Sequence, residues 1–191
     1  MLTNDKPIAV IDTETNYDDE VISIGTVIAD PKEFRLLDRQ YLILTPECRK
    51  PAMFSLQLSC ERAKADVVLN RREAMSEVIR LLSGYGVDDV FAYNAKFDHS
   101  HLPELQTYSW FDIIKIAAYR QYNHSIPDSM PCCRTGRLQG GYGAESIYRM
   151  LSGQRCYCEV HNALADAEDE LTIMRLLEQD ITVYEKARIR G

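Results

Sequence analysis

No stretch of the sequence is apolar for the roughly 18–20 residues that a membrane-spanning helix requires. The opening residues, Met1-Leu2-Thr3-Asn4-Asp5-Lys6, lead straight into an apolar strand and lack the ordered regions of a secretory leader. These two absences make a cytoplasmic protein without membrane association the expectation. An excess of positive charge is also missing: 22 Lys and Arg face 29 Asp and Glu, for a formal net charge of −7. That balance excludes a protein that coats nucleic acid through a broadly basic surface. It does not exclude an enzyme acting on nucleic acid, because carboxylates that hold divalent cations read as uncompensated acid until the cations are counted. The six cysteines (Cys48, Cys60, Cys132, Cys133, Cys156 and Cys158) lack the Cys-x2–4-Cys spacing of most zinc sites. Reduced thiols are the expected state, and zinc held jointly by Cys132-Cys133 and Cys156-x-Cys158 is the less favoured reading. Internal repeats and linkers are absent, so residues 1–191 read as one domain.

What is present is a folded α/β chain. Its hydrophobic fraction of 46% and charged fraction of 27% are those of a domain with a core. Ile8-Ala9-Val10-Ile11 is a short apolar run bounded by turn residues and reads as a buried strand. The β-branched run at 21–29 and the loosely alternating run at 34–44 give two more strands, joined by connections short enough for an antiparallel meander. Residues 52–68 are mixed in character and partly helical. Residues 72–82 carry Ala74/Met75, Val78/Ile79 and Leu81/Leu82 on one face before Gly84, the pattern of an amphipathic helix. A fourth strand over 87–93, a helix over 95–105, a fifth strand over 108–111 and a helix over 113–122 follow. Residues 124–143, with Pro127, Pro131 and four glycines, form a long polar loop of the kind that is more often functional than filler. A short helix over 144–151 and a long one over 162–179 complete the chain. Strands first, then alternating helix and strand, then helices, describe a mixed five-stranded sheet with flanking helices.

Three local patterns carry chemistry. Asp12 and Glu14 end the first strand two residues apart, so their side chains leave on the same face. Asn94-Ala95-Lys96-Phe97-Asp98 stands where the fourth strand gives way to a helix, with Asn94 suited to cap it and Asp98 one turn inside. His161-Asn162-Ala163-Leu164-Ala165-Asp166 opens the last helix. A spacing of five turns about 140° on a helix, so His161 and Asp166 share a site only if His161 lies on the preceding loop and folds back. Each pattern alone has an ordinary reading: solvated acids in a turn, a first-turn Asp, and a surface histidine.

Together, Asp-x-Glu, Asn-x3-Asp and His-x4-Asp in this order resemble the DEDDh branch of the DnaQ-like 3′–5′ exonucleases, across nearly the whole chain. Ile22-Ser23-Ile24-Gly25 in the second strand, Trp110-Phe111-Asp112 closing the fifth, and the His-x-Ala-Leu-x-Asp-Ala run at 161–167 belong to the same resemblance. It implies an RNase H-like sheet of order 3-2-1-4-5 with strand 2 antiparallel to the rest. It further implies a site for two divalent cations built from Asp12, Glu14, Asp98 and Asp166, with His161 as general base. An all-oxygen ligand set favours Mg²⁺ or Mn²⁺ over Zn²⁺. By the same resemblance Asp12 bridges both cations, Glu14 and Asp166 complete the site where water is activated, and Asp98 holds the second cation through water. Thr13 and Thr15 then contact the 3′-terminal nucleotide, together with Asn94 and Phe97, although core packing is the commoner role for an aromatic at a helix start. Tyr122, His124, Arg134, Arg137 and Tyr142 of the long loop offer stacking and phosphate contacts to a single strand. The implied partner is nucleic acid with a free 3′ end, and a homodimer is the assembly frequent among stand-alone relatives. A catalytically silent RNase H-like module that binds nucleic acid or protein is the alternative reading.

Overall fold

The computed structural model describes residues 2–65 and 67–189. Its elements are β1 (Ile8–Thr15), β2 (Val21–Ala29), β3 (Leu36–Leu44), β4 (Val67–Leu69), α1 (Arg71–Tyr85), β5 (Asp89–Ala92), α2 (Lys96–His101), β6 (Ser109–Asp112), α3 (Ile114–Ala117), α4 (Ala144–Ser152) and α5 (Ala163–Leu176). The strands form one sheet of order β4-β3-β2-β1-β5-β6. β2 runs antiparallel to β1 and β3, while the β1/β5, β5/β6 and β3/β4 pairs are parallel. The expected order and the single reversed strand are therefore both present, and the sheet has six strands rather than five. The added edge strand, β4, begins at the end of the 52–68 stretch read as partly helical and runs one residue past it; the helical part there is a 3₁₀ turn at Ser55–Leu58.

All nine residues of β2 are buried, as expected for a strand covered on both faces. One face packs Val10, Val27, Phe91 and Phe111 against Leu164, Ala167 and Leu171 of α5. The other packs Ile11, Ile24, Leu42 and Val90 against Ala74, Val78 and Leu82 of α1. α1 starts with a full capping box between Asn70 and Glu73 and stops at Gly86, whose φ of 66° suits glycine.

Three predicted helices are shorter than expected. The helix of 95–105 is α2 plus a 3₁₀ turn at Pro103–Leu105, because Leu102, the residue before proline, leaves helical geometry at φ −121° and ψ 62°. The helix of 113–122 ends as α3 at Ala117, whose carbonyl accepts from the Asn123 side chain at 2.8 Å. The last helix is regular over Ala163–Leu176. The 124–143 loop does lack regular elements, apart from isolated bridges such as Cys132↔Leu138. Among the described residues no helix is long and apolar enough to cross a membrane.

Candidate active site

The site grows from a mismatch in strand length. β1 pairs with β5 only at Ala9↔Val90 and Val10↔Phe91, so its later residues have no ladder partner on that side. The start of α2 fills the gap: Asp98 Oδ1 accepts from the Thr13 N–H at 3.0 Å and from the Thr13 hydroxyl at 2.8 Å. A buried strand N–H must be paired, and here a carboxylate performs the task. That bond seats Asp98 beside the segment carrying Asp12 and Glu14.

The approach of α2 depends on Asp112 at the end of β6. Its Oδ1 accepts from the N–H of Asn94 at 3.1 Å and of Ile114 at 3.3 Å. Asn94 is exposed and adopts a φ of 62°, so it forms the elbow into α2 rather than the expected N-cap; Ala95 holds the cap position without a side-chain bond. Phe97, one residue before Asp98, is 38% exposed and tilts against His101 with ring centroids 4.2 Å apart. Core packing, the commoner role for such an aromatic, is not the one it takes.

α5 reaches the site because Gly25 has no side chain. Gly25 pairs with Asp12 across the sheet, and a Cβ there would lie 2.2 Å from the Ala163 carbonyl oxygen and 2.4 Å from the Leu164 nitrogen. The first turn of α5 therefore rests directly on β2, beside Asp12. Asn162 caps this helix, accepting from Leu164 N and Ala165 N, while its own N–H donates to Asp166 Oδ2 at 3.0 Å. The Asn162 side-chain amide donates to the Tyr41 hydroxyl at 2.9 Å and to the Gln57 carbonyl at 2.6 Å. His161 stands outside the helix at φ 57° and turns back over it. Its ring stacks on Phe54, with centroids 3.9 Å apart and planes 13° off parallel. As a result Glu14, His161 and Asp166 each offer a ligand atom within 4.8 Å of the others.

These carboxylates are too close and too buried to be ionised together without compensation. Burial, then Glu159 and Asp98, push Glu14 up to about 7. Asp98 rises to about 7 through burial, against the lowering effect of its bonds from Thr13. Asp166 reaches about 8, from burial first and then Glu159 and Glu14. Asp12 is raised well above the ordinary carboxylate value by burial, then by Asp98 and Glu170. Asp12 Oδ2 and Asp166 Oδ1 are closed to solvent and have no hydrogen-bond partner among the described residues. Orphaned carboxylate oxygens among neighbouring buried acids are the donor set of hard divalent cations, so these residues fit such ions.

Thr13 is buried and committed to Asp98, whereas Thr15 is half-buried at the strand end. In the long loop Arg137 stacks on Tyr142, whose carbonyl accepts from the Tyr93 hydroxyl at 2.5 Å; Tyr122 carries Lys186 over its ring. His124 and Arg134 are exposed. Among the described residues no cysteine joins a group of metal-ligating side chains, and the six cysteines are free thiols. Sequence reasoning missed Phe54, Glu159 and Glu170. Glu170 is 4% exposed and accepts from the Tyr93 N–H at 3.0 Å. Its signal was its place one turn beyond Asp166 on the same helix face.

No family model matches the sequence, and no curated protein matches it. Solved structures do. E. coli exonuclease I in complex with a dA16 oligonucleotide superposes with a TM-score of 0.63 at 12% identity, over 95% of this chain and 42% of that one. The nuclease domain of 3′hExo, a DEDDh family member bound to rAMP, gives 0.61 at 16% identity, over 92% of both chains. The chain has the RNase H-like fold of these exonucleases. Exonuclease X in complex with 5′ overhanging duplex DNA has this fold too, with a TM-score of 0.53 at 20% identity, over 93% of this chain and 99% of that one. That fold accounts for nearly all of this chain, which spans less than half the length of exonuclease I.

Proposed function

We propose that the chain is a divalent-cation-dependent 3′–5′ exonuclease, one domain over residues 1–191, that releases nucleoside 5′-monophosphates from the 3′ end of DNA or RNA, preferentially single-stranded. The observation that carries this reading is the meeting of Glu14, His161 and Asp166 within 4.8 Å, beside an Asp12 oxygen that has no hydrogen-bond partner among the described residues. The oligonucleotide, rAMP and duplex DNA held by the three neighbouring structures support a nucleic-acid substrate.

Asp12, Glu14 and Asp166 would hold the cations with Asp98, and the all-oxygen set suits Mg²⁺ or Mn²⁺. When bound, such a pair neutralises the phosphate and makes water acidic enough to attack. His161 accepts the proton of the attacking water, its ring nitrogen being grouped with the Glu14 and Asp166 carboxylates. The flat contact with Phe54 and the turn at residue 161 hold its ring within reach of Glu14 and Asp166. Thr15 at the end of β1, Asn94 after β5 and Phe97 in α2 are assigned to the terminal nucleotide, together with Thr13. The protein is assigned to the cytoplasm, and a homodimer is its proposed assembly.

Timed digestion of 3′- and 5′-blocked, single- and double-stranded DNA and RNA oligomers tests the reading. Stepwise loss of mononucleotides from free 3′ ends with Mg²⁺ or Mn²⁺, stopped by EDTA, is expected. Undiminished cutting in EDTA, or none with any cation, overturns it.

A further inference from the structure

Two loops wall the site, and both are tied to one buried side chain that takes no part in it. The first, residues 45–65, carries Phe54 and the Gln57 carbonyl that receives Asn162. The second, residues 153–161, carries Glu159 and His161. Asp169 lies on α5 almost one turn beyond Asp166 and is 7% exposed. From the first loop, Arg62 places both guanidinium nitrogens on it, Nη1 on Oδ2 and Nη2 on Oδ1, each at 2.8 Å; Nη2 also reaches the Ala165 carbonyl at 3.3 Å. From the second loop, the Tyr157 hydroxyl donates to Oδ2 at 2.6 Å. Tyr157 is itself fixed: its ring stacks on Tyr148 of α4 at 4.1 Å, and its carbonyl accepts from Arg149 Nε at 2.6 Å.

A two-nitrogen fork onto a carboxylate fixes orientation as well as distance, and a hydroxyl–carboxylate bond as short as this one is among the stronger neutral-to-charged bonds. Asp169 accepts both while belonging to the rigid helix that carries Asp166. Loops that flank a site are ordinarily the mobile part of an enzyme; here each is anchored to the ligand-bearing helix. Resting on the nuclease reading above, we infer that Asp169 is a positioning residue, the common latch that holds the His161 loop and the Phe54 loop in register with the cation ligands. Release of the Tyr157 anchor lets the His161 loop drift, and release of the Arg62 anchor lets Phe54 leave the imidazole.

The test uses the full chain in four forms: wild type, Asp169→Asn, Tyr157→Phe and Arg62→Lys. Tyr157→Phe removes one oxygen from a half-buried ring and leaves the fold intact. Two readouts are made: kcat and KM for mononucleotide release, and amide hydrogen exchange by segment. Tyr157→Phe is expected to speed exchange across 153–161 alone and to lower kcat about tenfold at unchanged KM, the scale of loss that small misplacement brings. Arg62→Lys is expected to speed exchange across 45–65 alone, and Asp169→Asn across both, each with unchanged Mn²⁺ affinity. Exchange and kcat equal to wild type in Tyr157→Phe and Asp169→Asn overturn the latch. So does faster exchange spread evenly over the sheet, which marks ordinary loss of core stability. A wild type without nuclease activity defeats the nuclease reading instead, and the segmental exchange still decides whether the loops are anchored.

Discussion

Phe54 and His161 form a stacked pair across the mouth of the site, with ring planes only 13° apart. The contact joins a loop before β4 to the residue that precedes Asn162, the cap of α5. An unpartnered histidine on a loop samples several rotamers; a flat apolar neighbour removes most of them. Replacement of Phe54 by Ala is therefore expected to lower kcat about tenfold through misplaced base geometry, with Mn²⁺ affinity by calorimetry unchanged. Phe54→Tyr keeps the ring and is expected to stay near wild type. Equal kcat in the Ala variant would remove the stack from the function.

His161 and Asp12 should separate by phenotype. His161→Ala is expected to lose about 10²–10⁴-fold in turnover, the usual contribution of a general base, while still binding Mn²⁺. Asp12→Ala removes an orphaned ligand oxygen from the centre of the acids and is expected to lose both turnover and cation binding. Titration calorimetry beside single-turnover assays reads the difference.

Gly25 is a steric requirement rather than a conformational one. A methyl group there meets the Ala163 carbonyl and Leu164 nitrogen, which are backbone and cannot swing aside. Gly25→Ala must lift α5 off β2, at a cost of about 3 kcal/mol or more. A lower midpoint in urea denaturation, together with weaker Mn²⁺ binding as Asp166 moves, is the expected pair of results.

The cation-free protein should lose stability as pH rises. Glu14, Asp98 and Asp166 titrate at about 7, 7 and 8 when folded, against ordinary values of 4.5 for Glu and 3.8 for Asp. Between those limits the folded state holds more protons than the unfolded chain, so the slope of unfolding free energy with pH is negative. Their contribution is complete below pH 3.8 and is lost as pH passes 7 to 8. In EDTA, Tm is expected to fall from about pH 5 to about pH 8. Mg²⁺ at a hundredfold its Kd restores about 2.7 kcal/mol, or roughly 5–10 °C for a chain of this size. A Tm that rises over this range in EDTA would contradict the burial of these acids.

The parts of the site that depend on local periodicity were legible in the sequence. Asp12 and Glu14 share a face because strand residues alternate, and His161 had to leave the helix because five residues do not close a helical face. The β2 run was readable because a strand covered on both sides is apolar throughout. Relations between distant segments were not. β4 is three residues long, below the length at which a pattern exists. Asp169 and Glu170 went unread, because acids on an amphipathic helix ordinarily face solvent; apart from the one-turn step from Asp166 to Glu170, their burial follows from distant segments, Tyr93 on Glu170 and Arg62 and Tyr157 on Asp169. Asn94 had the side chain of a cap, but Asp112 holds its N–H and the chain turns left-handed instead. Phe54 carried no sign of its partner, which follows 107 residues later in the sequence.

The backbone at residue 161 has a φ of 57°, a conformation that glycine adopts freely and branched or bulky residues avoid. Judged by chain geometry alone, this corner favours the smallest residue, yet it carries an imidazole. Replacement of His161 by Gly should consequently tolerate more urea than replacement by Ala, and comparison of the two variants would weigh how far an imidazole at this corner comes at the expense of folding.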